Sequence, residues 1–377
     1  MKPIESLIND KFKNLKPCVH GAEVLGAAEE SGLAPQNILD FSSSVNPLGP
    51  SNKALDAAKS AFSQITAYPD SNSSALRQVI ANHFGISKDN IVVGNGSTEL
   101  MYLFAEVFMK NRDKAVMPAP TFGEYESAVC KAGAASKFVK LGRSFAIGLE
   151  MFKREIAGAK LVFLCNPNNP TSMVIPKETI MDIIETTLEN DTLVFLDEDF
   201  LEFVDNEKSF SMIGKIGKYP NLFVLKSFTK IFGLTGLRVG YGIANSEIIS
   251  VLSRAKIPWN VNCIAQAAAV AALKDQEHLQ VTLDLIRREK AWLSDQLGKL
   301  MGFNFSLPDA NFFFIDIRKS GFTGAELKNL MLKQGLLIRD CTSFRGLDEY
   351  YIRVAVKTHE ENVRLIDGFK QALRSLG

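Results

Sequence analysis

Paired cysteines, zinc-type spacings, long apolar runs and an excess of charge of one sign are all missing from this chain of 377 residues. The five cysteines (Cys18, Cys130, Cys165, Cys263 and Cys341) lie far apart, with no CxxC and no Cys/His run. That pattern argues against structural zinc and points to reduced thiols. The longest apolar stretch, Val261 to Leu273, is broken by Asn262 and Gln266 and is too short to span a bilayer. Lys2, Glu5, Asp10 and Lys11 precede any apolar run, so no secretory signal is expected and the protein is expected in the cytoplasm, away from membranes. With 43 basic and 42 acidic residues, the net charge of +1 gives no electrostatic reason to expect a nucleic-acid partner. A content of 46% hydrophobic and 23% charged residues argues against disorder.

What is present is an alternation of short β-rich runs with longer amphipathic stretches. Ile91–Val93, Ala115–Met117, Leu161–Cys165, Leu193–Leu196, Leu222–Leu225 and Gly240–Ala244 read as buried parallel strands. Residues 97–110, 123–133, 177–189 and 246–254 have helical periodicity. The fold class is therefore α/β, a mostly parallel sheet flanked by helices. After about residue 275 the pattern changes to a charged helix over 276–301, a run Phe312–Ile317, a helix from Thr323, the runs Leu336–Arg339 and Tyr350–Val356, and a last helix. Thr323 with Glu326 and Thr358 with Glu361 fit capping boxes. The expected division is an N-terminal arm (1–50), a large α/β domain (51–274) and a smaller α+β domain (275–377).

The most informative stretch runs from Ser227 to Tyr241, with Thr229, Lys230 and Arg238 following directly on an expected strand. A lysine beyond a strand end sits where open sheets bind ligands, and partial desolvation would let its amine attack a carbonyl. Ser227, Thr229 and Arg238 would suit one phosphate. Read alone, Lys230 fits better as a solvated lysine beside a glycine-rich turn. Gly94-Asn-Gly96-Ser97-Thr98 opens a helix and offers free N–H groups to the same phosphate, or is a plain strand-to-helix turn. Asp197, in Leu-Asp-Glu-Asp-Phe200, could pair with a protonated ring nitrogen, hold a metal or lie in a charged loop. No histidine lies beside it, so no metal is expected.

Lys230 with its flanking motif, Asp197, Asn169 in Asn-Pro-Thr, and Pro-Thr-Phe122 together resemble the fold-type I, aspartate-aminotransferase-like family of pyridoxal-phosphate enzymes, over roughly residues 20–370. The resemblance implies that Lys230 forms the Schiff base with pyridoxal 5'-phosphate and Asp197 partners the pyridine nitrogen. It implies that Asn169 bonds the phenolic oxygen, Phe122 stacks on the ring, and Gly96, Ser97, Thr98, Ser227, Thr229 and Arg238 hold the phosphate. Tyr68 matches a tyrosine that reaches the neighbouring subunit's phosphate, implying a homodimer with shared active sites. Arg353 matches the arginine that grips a substrate carboxylate.

Within the family, His20-Gly21, the run Leu39 to Gly49, Phe200 and Leu337 to Phe344 resemble threonine-phosphate decarboxylases of cobalamin synthesis. The expected reaction is then loss of carbon dioxide from O-phospho-L-threonine, giving (R)-1-amino-2-propanol O-2-phosphate. His20, Gly21, Asn46, Asn169, Arg339 and Arg353 would hold the phosphorylated amino acid. The alternative is a histidinol-phosphate aminotransferase or a related amino-acid aminotransferase. Two positions depart from the family pattern, Ser172 for glycine and Asp199 for alanine.

Overall fold

A computed structural model describes residues 3–13 and 17–375. Its strands are β1 (Leu39–Asp40), β2 (Ile91–Gly94), β3 (Lys114–Ala119), β4 (Ala135–Lys140), β5 (Leu161–Cys165), β6 (Leu193–Asp197), β7 (Leu222–Ser227), β8 (Gly240–Ala244), β9 (Asn304–Phe305), β10 (Phe312–Asp316), β11 (Leu336–Leu337), β12 (Arg339–Asp340) and β13 (Tyr351–Ala355). The central sheet has seven strands in the order β2-β8-β7-β6-β5-β3-β4. Every residue of β5 and of β7 is buried, as expected where helices cover both faces of a sheet. Phe104, from the helix Ser97–Phe108, packs with Phe163, Phe195 and Phe223 of the sheet as one aromatic cluster.

One expectation is corrected here. Gly240–Ala244 does not run parallel to its neighbours: β8 is antiparallel to both β2 and β7. The twelve residues between β7 and β8 hold only a short helical turn, Thr235–Leu237, so the crossover helix that usually joins parallel strands is missing. The reversal has a consequence for the site. All other strands of this sheet point their carboxyl ends to one edge, and the reversed β8 brings its starting residue, Gly240, and the preceding Arg238 to that same edge.

A second sheet, β12-β13-β10-β9, is antiparallel. The expected strand Leu336–Arg339 divides at Ile338: β11 pairs in parallel with β1, whereas β12 joins the second sheet beside β13. The segment after the N-terminus is thereby tied to the C-terminal part, and Ala27, Ala28 and Ile38 pack with Leu332 and Leu337. The long helix spans Gln276–Leu297 and stops short of residue 301, with Gly302 at φ 84° in the turn that follows. Both capping boxes form, at Thr323 and Thr358. Among the described residues, no helix is long and apolar enough to cross a membrane.

Candidate active site

The shared strand edge gathers five loops. Gly96, at φ 81°, turns the chain from β2 into the helix Ser97–Phe108, and no side chain caps that helix, so its first N–H groups remain free for an anion. A side chain on Gly96 would be strained at this φ, and its Cβ would meet Arg238 Nη2 at 2.3 Å, so the guanidinium would have to move. Arg238, itself at φ 57°, thus lies directly against this turn and donates from Nη1 to the Thr235 carbonyl at 3.1 Å. Ser97, Ser227 and Thr229 are buried and Thr98 is half-buried. The Ser227 hydroxyl accepts the Thr229 N–H at 3.0 Å, which fixes the first turn after β7.

Asp197, at the end of β6, is 3% exposed. Its Oδ2 accepts the Tyr125 hydroxyl at 2.7 Å and its Oδ1 accepts the Asp199 N–H at 2.9 Å. Burial, then the charge of Asp199, push its pKa up to about 8. Tyr125 is a partner that the sequence reading missed. The available signal was its position three residues beyond Phe122, on the helix Glu124–Lys131.

Lys230 lies half-buried in a cavity of about 200 Å³ that also exposes Phe122, Asn169, Phe200, Arg339 and Arg353. Its Nζ is 5.2 Å from the centre of the Phe200 ring. Burial lowers its pKa; Asp199 opposes this, Arg353 adds to it, Asp197 opposes it and Arg238 adds to it. The amine is therefore biased toward the neutral form that a base or nucleophile requires.

Arg339 and Arg353 are register partners across β12 and β13 and both are buried. Arg353 donates to Asn169 Oδ1 and to the Ser42 carbonyl, the latter at 2.6 Å, while its Nε is buried without a partner. Burial pushes its pKa down to about 10. Arg339 donates to the carbonyls of His20 and Val19 and to the Ser343 hydroxyl, at 3.1, 2.7 and 2.7 Å. It shapes the wall formed by residues 19–21 as well as offering charge. His20 is held by Glu124 at 2.8 Å, and Glu124 also accepts the Tyr102 hydroxyl at 2.5 Å. Gly21 has no room for a side chain, since a Cβ would lie 2.5 Å from the Ser42 carbonyl oxygen. Cys18, His20 and Glu124 place their ligand-type atoms within 4.8 Å of one another.

Asn46 is not brought to the cavity, which corrects its assignment to substrate. It is buried, and its amide donates to the Ile231 carbonyl at 2.9 Å and to Thr282 Oγ1 at 3.0 Å. Its carbonyl accepts the Leu48 N–H, and its backbone N–H bonds the Lys230 carbonyl at 3.0 Å. With these groups engaged, Asn46 buttresses the loop carrying Lys230. Tyr68 lies outside the cavity, 79% exposed and stacked on Trp259 at 4.5 Å.

A neutral-biased lysine, a buried carboxylate at a strand end, an uncapped helix start beside a guanidinium, and the unpaired Arg353 Nε and Asp199 Oδ1 are a donor set that fits a phosphorylated aromatic aldehyde. The family model for class I and II aminotransferases matches residues 36–369, and the chain belongs to that family. Pyridoxal 5'-phosphate is accordingly its cofactor. The chain is 33% identical to the histidinol-phosphate aminotransferase of Methanosphaera stadtmanae, over 97% of this chain and 98% of that one. It is similar to the crystal structure of the histidinol-phosphate aminotransferase from Clostridium acetobutylicum, with a TM-score of 0.84 and 32% identity, covering 90% and 100% of the two chains. The L-threonine-O-3-phosphate decarboxylase from Porphyromonas gingivalis is also similar, with a TM-score of 0.78 and 27% identity over 89% and 99%. The expected decarboxylation, and the link to cobalamin synthesis with it, is overturned by the full-length similarity to histidinol-phosphate aminotransferases. The local motifs behind that expectation do not outweigh a match along the whole chain.

Proposed function

We propose that this protein is an aminotransferase that exchanges an amino group between glutamate and a phosphorylated amino compound of the histidinol phosphate type. The observation that carries the reading is Lys230 in one cavity with Arg339 and Arg353, two buried cations set side by side by strand register. The similarity to histidinol-phosphate aminotransferases supports it.

When bound, the cofactor supplies an electron sink for the carbon that bears the amine. The protein's part is to orient that carbon and move its proton. Arg353, pinned by Asn169 and Ser42, offers its guanidinium to the substrate's anion, a carboxylate in glutamate and a phosphate in the amino alcohol. One anion site serving both halves of the exchange turns the C–H bond, rather than a carbon–carbon bond, toward Lys230. Lys230 Nζ, neutral through burial, takes that proton and returns it. In this reading Asp197, supported by Tyr125, pairs with the ring nitrogen, Asn169 with the phenolic oxygen, and Phe122 covers the ring face. Gly96, Ser97, Thr98, Ser227, Thr229 and Arg238 hold the phosphate, and His20 and Gly21 line the substrate side. Tyr68 reaches the site of a second copy in a homodimer, and the enzyme works in the cytoplasm. The arm at 1–50 and the boundary at 274/275 belong to the same reading, which the separation of the seven-stranded from the four-stranded sheet supports.

The test is glutamate formation from 2-oxoglutarate and histidinol phosphate by cofactor-loaded protein. Formation that depends on both substrates is expected. No glutamate from loaded, folded protein refutes the reading.

A further inference from the structure

Asp199 stands among the groups proposed above to hold the cofactor phosphate. Its Oδ2 accepts the Ser97 hydroxyl at 3.3 Å, and the nearby Ser227 side chain favours its ionised form. Its Oδ1 is buried without a partner. A dianionic phosphate and an ionised carboxylate compete for these donors, because each hydroxyl has a single proton to give, and the two negative charges repel. Asp197 lies two residues away, at the end of β6, and accepts the Asp199 N–H. From the side of β7, Lys230 and Lys226 favour the ionised form, but Lys226 is already engaged by Glu202 at 2.9 Å. Arg238 lies against Gly96. Burial raises the pKa of Asp199, and an arriving phosphate acts in the same direction.

We infer that Asp199 takes up a proton when the cofactor phosphate binds and then donates its O–H to a phosphate oxygen, which gives the buried Oδ1 a partner. One proton from solvent is consumed per site, and the Ser97 hydroxyl is released to the phosphate. The inference rests on the cofactor reading of Ser97 and Ser227. Asparagine at this position keeps a donor without needing a proton.

The experiment compares wild type with Asp199→Asn, measuring dissociation constants for pyridoxal 5'-phosphate and for pyridoxal between pH 6.5 and 9 by equilibrium dialysis. The expected result is that wild type weakens relative to the variant as pH rises, the ratio growing by up to about tenfold per pH unit for one linked proton, with pyridoxal showing no such trend. A flat ratio for the phosphorylated ligand, or the same slope for pyridoxal, overturns the inference while leaving the cofactor assignment standing. Failure of wild type to bind either ligand overturns the cofactor assignment itself. Should the variant not fold, proton uptake by wild type at pH 9 decides. About one more proton per pyridoxal 5'-phosphate than per pyridoxal is expected, and equal uptake overturns the inference.

Discussion

Burial, then the charge of Asp199, push the pKa of Asp197 up to about 8 despite the Tyr125 hydroxyl. A carboxyl raised this far stabilises the fold fully below its unfolded pKa of roughly 4, and that contribution is lost as pH rises through about 8. Cofactor-free Asp197→Asn should therefore melt at the same temperature as wild type near pH 4 and several degrees higher at pH 9. With cofactor bound, wild type should gain more, since only a carboxylate can pair with a ring cation. Scanning calorimetry with and without cofactor checks both parts. Lys230 and Asp197 stood out in the sequence through the family motif around each, and the structure places Asp197 at the end of β6 and Lys230 three residues beyond β7. Asn46 was misread, since residue type announces hydrogen bonding but not whether the partners are substrate or chain. Tyr125 was missed because a tyrosine buried among phenylalanines gives no polar signal until the carboxylate it serves is located.

The strands and the two capping boxes followed from local pattern, but the direction of β8 depended on what joins it to β7. The connection lacked a helix, which was visible, yet a short apolar run looks the same in either direction. The reversal makes Gly240 a close contact: a Cβ there would lie 2.6 Å from the Ser97 backbone nitrogen. Gly240→Ala should push the helix Ser97–Phe108 off the sheet, cost about 1–3 kcal/mol in urea unfolding and weaken cofactor binding. Gly236→Ala, with nothing within 4 Å of the added carbon, is the matched control and should change neither.

Taken as a whole, the chain leaves an apolar surface open around Tyr68, where Ile65, Ile257 and Trp259 are 61%, 71% and 48% exposed. Patches of this kind mark contact surfaces. Sedimentation equilibrium should give twice 41.5 kDa, and a monomer at micromolar concentration would remove the shared-site reading of Tyr68. The fold class was legible because it is written in every strand and helix. The choice between losing carbon dioxide and moving an amino group was not, since it turns on how a few groups orient one carbon. The most direct measurement follows the amino nitrogen itself. Cofactor-loaded protein is incubated with ¹⁵N-labelled glutamate and the ketone corresponding to histidinol phosphate, and the products are read by mass spectrometry. The label should appear in the phosphorylated amine with wild type and fall at least about a thousandfold in rate with Lys230→Ala, the scale of removing a catalytic base. Unlabelled product, or label transfer that survives loss of Lys230, would contradict the account.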